Sequence, residues 1–180
     1  MVVRQARRGA RVSPARLLAC GALLVLSAGV SASAGWCLGL GSLGPVRTGM
    51  KVEQVLLLAD FSGMERQRPA GDCWYLRYHA AGRDFDLMIL GGVVARIELR
   101  NASTLQTYSG AKVGSSEQDL AKLYGARLDS QPHKYDPEGR TLTFKSSDGA
   151  LGLRFETSHG KVTAIQSGPW EHLNLVEGCG

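Results

Sequence analysis

The fold is decided by residues 74–97, which read WYLRYHAAGRDFDLMILGGVVARI. In the first strand-like part, one side presents Trp74, Leu76 and Tyr78 and the other presents Tyr75, Arg77 and His79. In the second, Phe85, Leu87 and Ile89 alternate with Asp84, Asp86 and Met88. Alternation at period two is typical of strands that bury one face, and residues 80–83 and 90–92 contain the glycines that hairpin turns favour. The stretch predicts an antiparallel meander.

The same pattern recurs later in the chain. Strand-like segments LTFKS, GLRFET and HGKVTAI begin at residues 142, 152 and 159. Each set of strands follows a helix-like segment, at 49–60 and at 114–125, in which apolar residues recur at spacings of three and four. These apolar residues are Val52, Val55, Leu56 and Ala59 in the first segment and Leu120, Leu123 and Tyr124 in the second.

Two further signals define the second helix. Ser115 and Gln118 have the spacing of a capping box, and Gly125 is placed to end the helix. We therefore expect an α+β fold made of two tandem units, each a helix plus a three-stranded antiparallel meander. The units run approximately over 44–100 and 109–167 and pack as one domain.

The N-terminal residues have the features of an export signal. An uncharged apolar run occupies residues 17–30, and Ala32, Ser33 and Ala34 follow it in the A-x-A pattern. The sequence predicts a signal peptide over 1–34 and a single domain over 35–180. A run of about 14 residues is shorter than the roughly 20 that cross a bilayer, so we expect a periplasmic or secreted protein without stable membrane insertion.

The formal charge of +5 over 180 residues comes from the predicted signal peptide. It contains five of the 21 basic residues, and the remaining 16 balance the 16 acidic residues. A domain without net charge has no positive electrostatic potential to attract a phosphate backbone, so we expect no nucleic-acid partner.

Three cysteines remain after residue 34, namely Cys37, Cys73 and Cys179. An oxidising compartment favours one disulfide, and three pairings are available. We favour Cys73–Cys179, because it joins the C-terminal segment to a strand and closes a long loop. In the chain-entropy model, closing a loop of this length stabilises the folded state by up to about 4–5 kcal/mol. The alternative is Cys37–Cys73, which leaves Cys179 free.

Motifs of catalysis occur only in unsuitable contexts. Gly39, Gly41 and Gly44 match the dinucleotide-binding G-x-G-x-x-G, but without a preceding strand they indicate a flexible leader. Gly110 interrupts the turn that an S-x-x-K pair at Ser109 and Lys112 requires. The four histidines form no metal-binding pair by spacing. We expect no enzymatic activity, no metal and no cofactor.

The polar strand faces are the predicted binding surface. The candidate contact residues are Tyr75, Arg77, Asp86 and Arg96 in the first unit and Lys145, Arg154 and Glu156 in the second, with His79, Asp84, Glu98 and Thr143 on the same faces. Tyrosine and arginine are enriched in protein interfaces, and mixed charges favour a specific partner. The alternative is a solvated sheet with cross-strand ion pairs.

A second candidate surface is the polar loop at residues 132–136. His133 and Tyr135 lie there, and Trp170 is a possible neighbour from the C-terminal segment. This loop favours the alternative function of small-ligand or glycan binding in the envelope.

Several segments support a resemblance to known families. A signal peptide, tandem helix-and-meander units and the start G-M-x-x-x-x-V resemble the fold of β-lactamase inhibitor proteins and SmpA/OmlA envelope lipoproteins. GPVRTGMKVEQV, GAKVGSSEQDLAKLYG, PHKYDPEGRTLTF and LRFETSHGKVTAI are similar to uncharacterised exported bacterial proteins. The resemblance implies non-catalytic binding of another envelope or secreted protein, by inhibition or by assembly of envelope machinery. The chain departs from the lipoprotein branch, because Cys20 does not close the apolar run.

Overall fold

The computed structural model describes residues 35–58, 61, 64–67, 71–80, 83–100 and 103–179. The predicted signal peptide at 1–34 lies outside the described residues.

The described residues form twelve strands, three short α-helices and a 3₁₀-helix at Gly125–Arg127. The strands are β1 (Cys37–Gly39), β2 (Ser42–Leu43), β3 (Val46–Arg47), β4 (Glu65–Gln67), β5 (Cys73–Tyr78), β6 (Phe85–Leu90), β7 (Val93–Arg100), β8 (Gln106–Thr107), β9 (Leu128–Pro132), β10 (Arg140–Lys145), β11 (Leu151–Ser158) and β12 (Lys161–Pro169). The helices are α1 (Val52–Leu56), α2 (Glu117–Tyr124) and α3 (Trp170–Leu173).

Eight strands form one antiparallel sheet in the order β4-β5-β6-β7-β12-β11-β10-β9. Each half is a run of sequential strands, and the two halves join where β7 pairs with β12. The register of both β6–β7 and β11–β12 shifts by a bulge, a feature that bends strands.

The predicted α+β fold class is wrong, because the molecule is mostly β. The six strands of the two meanders are present, but α1 and α2 have only five and eight residues. A second sheet, in the order β3-β2-β1-β8, forms a further layer that the periodicity did not indicate. Its strands have two or three residues, too few to show an alternating pattern.

The expected flexible leader is part of this second sheet. Leu38 and Leu43 pair across β1 and β2 and are buried. Gly41 and Gly44 have φ of +73° and +53°, so two members of the G-x-G-x-x-G pattern serve tight turns. The hydroxyl of Ser167 in β12 donates to Gly39 O at 2.5 Å and accepts from Gly41 N at 2.7 Å. The leader is thereby joined to the large sheet.

The core lies on the apolar face of the large sheet. Leu76, Leu87, Ile97 and Ile165 line this face, and the second sheet, α1 and α2 cover it. The helices contribute the buried Val55, Leu120 and Tyr124. Trp36, Phe61, Tyr78 and Phe85 form an aromatic cluster with ring centroids 5.1–6.3 Å apart.

The capping of α2 differs from the prediction by one residue. Ser116, and not Ser115, is the N-cap, and its hydroxyl accepts from Asp119 N at 3.1 Å. The Asp119 carboxylate in turn accepts from Ser116 N, so Asp119 takes the place predicted for Gln118. Gly125 ends the helix with φ +59°, as predicted.

We predict that Ser167→Ala lowers the free energy of unfolding by about 1–3 kcal/mol, because it leaves Gly39 O and Gly41 N without their buried hydrogen-bond partner. Urea denaturation of the oxidised protein measures the change. Ser147→Ala, at an exposed turn residue, is the control and should stay within about 0.5 kcal/mol of the wild type. Equal stability of both variants would contradict the role assigned to Ser167.

Candidate functional site

A continuous row of mostly polar residues crosses the second face of the large sheet, one residue from each strand. In sheet order the row is Glu65, Arg77, Asp86, Glu98, Gln166, Arg154, Thr143 and Asp129. Residues opposite each other in a ladder share a face, so this row confirms the face predicted for the strand residues. We call this surface the polar face.

The centre of the polar face is a buried cluster around Glu98. One carboxylate oxygen accepts from Arg96 Nε at 2.8 Å and Nη2 at 2.5 Å, and from the Tyr75 hydroxyl at 3.2 Å. The other accepts from Arg100, with Nε at 2.7 Å. Arg96 and Glu98 are both 0% exposed. The hydrogen bonds within the cluster replace the water contacts that these two charged groups lost on burial.

Tyr75 contributes a neutral donor to this cluster. Burial is the main factor that raises the pKa of its hydroxyl, and the neighbouring Glu98 carboxylate raises it further. The hydroxyl therefore keeps its proton at neutral pH and donates it to Glu98.

The C-terminal segment covers the centre of the polar face. Arg96 Nη1 donates to the carbonyl oxygens of His172 at 3.0 Å and Leu175 at 2.8 Å. Arg154 Nη1 donates to Leu173 O at 3.1 Å. Two buried guanidinium groups thus bind the main chain of α3 and of the residues that follow it.

A glycine in the large sheet makes room for α3. A Cβ on Gly152 would lie 3.1 Å from Leu173 Cδ1 and 3.1 Å from Trp170 Cε3. The hollow at Gly152 lets the Leu173 side chain become almost completely buried.

A disulfide fixes the end of the segment. Cys73 in β5 is bonded to Cys179, with their Cα atoms 5.2 Å apart, so the favoured pairing is confirmed. The Cys37–Cys73 alternative is therefore wrong. A single disulfide among three cysteines leaves one thiol over, but no cysteine among the described residues is free.

The loop between β9 and β10 contacts the same segment. The Tyr135 hydroxyl donates to the Glu177 carboxylate, and Lys134 Nζ lies 3.0 Å from it. The neighbouring Gly178 lies against Tyr75 of β5. Since residues from β5 and from this loop reach adjacent positions of the segment, the polar face curves around it.

His133 organises the loop. Its Nδ1 atom accepts from Tyr135 N at 3.2 Å and from Asp136 N at 3.0 Å. A hollow of about 470 Å³ beside Trp170 is lined by residues 149–151 and 169–171 and by none of residues 132–136. The structure therefore does not bring His133 and Tyr135 together with Trp170 in that hollow.

The structure corrects the expectation of an open sheet. Asp86, Arg96 and Arg154 are 7%, 0% and 6% exposed, and Glu98 is also buried. These residues are buried because the C-terminal segment, which is distant from them in the sequence, lies on the face that they share. Tyr75 and Glu156 are half-buried, Arg77 and Arg100 are partly exposed, and His79, Lys145 and Tyr135 are exposed. The binding role of all these residues stays a prediction.

Sequence reasoning missed the residues that cover the face. Leu173, Leu175 and Glu177 carried no periodic signal, although Cys179 indicated that their segment is attached to β5. Gly152, on the polar side of a long strand, is the sequence signal of a close approach.

Two other kinds of functional feature are absent from the described part of the chain. No group of three or more His, Cys, Asp or Glu side chains there is arranged to hold a metal ion. No helix there is long and apolar enough to cross a membrane.

Comparisons with family models, curated proteins and solved structures gave no match, so the resemblance inferred from the sequence stays a prediction.

We predict a pH-dependent contribution from Asp86. Burial raises the pKa of its carboxyl above 3.8, and Arg77, whose Nε lies 3.4 Å away, offsets this only in part. The native state thus binds the proton more tightly than the unfolded chain, and this contribution is lost as pH rises above about 4. Relative to Asp86→Asn, the wild-type free energy of unfolding should fall as pH rises above about 4 in urea titrations. A rising or constant difference would contradict the assignment.

We predict that Gly152→Ala lowers the free energy of unfolding by about 1–3 kcal/mol, because the new methyl group crowds Leu173 and Trp170. The double variant Gly152→Ala/Leu173→Ala tests the cause. If the crowding lies at Leu173, the two effects measured by denaturation should be less than additive. Simple additivity would place the strain elsewhere, for example at Phe144 O.

Proposed function

We propose that this chain is an exported, non-enzymatic domain that binds another envelope or secreted protein, as an inhibitor or as an assembly factor. The observation that carries the proposal is a polar face whose buried centre is held by ion pairs and whose rim exposes arginine and tyrosine. We call Arg77, His79, Arg100, Lys134 and Tyr135 the rim.

The rim is preorganised for protein contact. The side chains of Arg77 and Arg100 are 35% and 40% exposed, while their carboxylate partners Asp86 and Glu98 lie beneath them. Tyr135 is 60% exposed, and its hydroxyl is held by Glu177. Side chains fixed in this way lose less conformational entropy on binding, and arginine and tyrosine often dominate interface energetics.

The charges of the rim favour a selective partner. Arg77 lies 3.4 Å from Asp86 and Lys134 lies 3.0 Å from Glu177, so positive and negative groups alternate around the face. Mixed charges discriminate between partners through complementarity and contribute little bulk attraction.

Export is supported by two independent features. The N-terminal sequence has the pattern of a cleavable signal, and the Cys73–Cys179 disulfide is of a kind that persists in oxidising compartments. The resemblance to inhibitor and envelope-assembly families agrees with a binding role.

We predict that a photo-crosslinking amino acid at Tyr135 captures a defined protein from envelope or secreted fractions. Tyr108 is the matched control, because it is 65% exposed but adjoins the second sheet, on the opposite side of the large sheet. Crosslinking from Tyr135 alone supports the rim, whereas equal crosslinking from both positions or from neither contradicts it.

The captured protein then allows a quantitative test. Arg77→Glu and Arg100→Glu should each weaken its binding by about tenfold or more, as expected for interface arginines. Lys122→Glu, on the exposed side of α2, should leave affinity unchanged. Melting temperatures of all three variants separate loss of binding from loss of folding.

A further inference from the structure

The C-terminal segment consists of two parts that are held differently. In α3, Leu173 is 1% exposed and fills the hollow at Gly152. In residues 174–179, which we call the strap, Leu175 is 40% exposed and the Glu177 side chain 67% exposed. The helix is therefore part of the packed structure, whereas the strap lies on its surface.

Few noncovalent contacts hold the strap. Its Leu175 carbonyl accepts from Arg96, and Glu177 contacts Lys134 and Tyr135 at an exposed position. Exposed ion pairs contribute little to stability. The covalent bond between Cys179 and Cys73 is therefore the main restraint on the strap.

The surface under the strap presents groups that recognise a peptide. The Arg96 guanidinium donates to a main-chain carbonyl, and the Tyr75 hydroxyl lies against the main chain at Gly178. Lys134 and Tyr135 together bind a carboxylate, that of Glu177. In the strap, Gly178 N donates to Leu175 O at 3.1 Å and closes a turn. Another peptide that forms this turn, with an acidic side chain two residues beyond the bound carbonyl, would reproduce the contacts of Glu177.

We propose that the strap occupies a binding site for an acidic peptide in a turn conformation, formed by Tyr75, Arg96, Lys134 and Tyr135, and that the Cys73–Cys179 disulfide keeps this site closed. This proposal rests on the proposed function, because it assigns a class of partner to the same polar face. Opening requires a dithiol reductant, which gives two electrons and two protons to the disulfide. The products are the thiols of Cys73 and Cys179 and the oxidised, disulfide form of the reductant.

The test uses the full mature chain with the strap released. The open variant combines Cys73→Ser and Cys179→Ser with Gly178→Ala, whose Cβ would collide with the Tyr75 hydroxyl. A glutamate-specific protease should cleave it after Glu177 at least about tenfold faster than the oxidised wild type, since cleavage follows the population of the open form. Far-UV circular dichroism should show an intact sheet.

Binding is measured with a fluorescent synthetic peptide, the wild-type sequence Leu173–Gly178 with blocked ends. Its anisotropy should rise with the open variant but not with the oxidised wild type, in which the strap occupies the site. Adding Lys134→Ala and Tyr135→Phe to the open variant should weaken binding by about tenfold or more, whereas adding Lys122→Ala should not.

Three results would overturn the proposal: a strap that stays protected in the open variant, a sheet that unfolds, or a released strap without peptide binding up to about 1 mM, the effective concentration typical of a short tether. Peptide binding without any protein crosslinked at Tyr135 would instead reject the proposed function alone. Crosslinking at Tyr135 without peptide binding would reject only the peptide site.

Discussion

The buried ion pair between Arg96 and Glu98 is the interaction on which the polar half of the molecule depends. A charge removed from water must find polar partners within the protein. Glu98 finds them in Arg96, Arg100 and Tyr75, and Arg96 uses its remaining donors on the carbonyls of His172 and Leu175. The C-terminal segment therefore completes the solvation of Arg96 as well as covering it. Replacing one member of the pair would leave the other buried without its charge partner.

The strands of the two meanders could be predicted because their signal is local. Trp74, Leu76 and Tyr78 alternate with Tyr75 and Arg77, and this pattern alone defines the two faces of β5. The fold class could not be predicted in the same way. The strands β1, β2 and β3 have two or three residues each, and their glycines looked like those of a loop. The ordered structure of this region depends on Ser167, more than 120 residues away.

The strand residues of the candidate site share one face, as the periodicity predicted, but their exposure was predicted wrongly. Strand periodicity places Asp86, Arg96 and Arg154 together, and the pairing of the strands agrees. Their burial results from a segment that returns over the sheet, and no local pattern reports such a contact. One indication was Cys179, whose bond to Cys73 requires the segment to lie near β5, and another was Gly152, where α3 packs closely on the sheet. Met88, an apolar residue between Tyr75 and Arg96 on the polar side, is explained by the same cover.

The pairing of β7 with β12 has a consequence for how the chain folds. Within each half, consecutive strands are joined by short connections, so both halves can form through local contacts. Ile97 and Ser167 are paired across the junction but lie 70 residues apart in the sequence. Closing so long a loop costs more chain entropy than forming a hairpin, and contacts of high sequence separation slow folding. Docking of the two halves is therefore the natural rate-limiting step, and until it occurs β7 and β12 are unprotected edges.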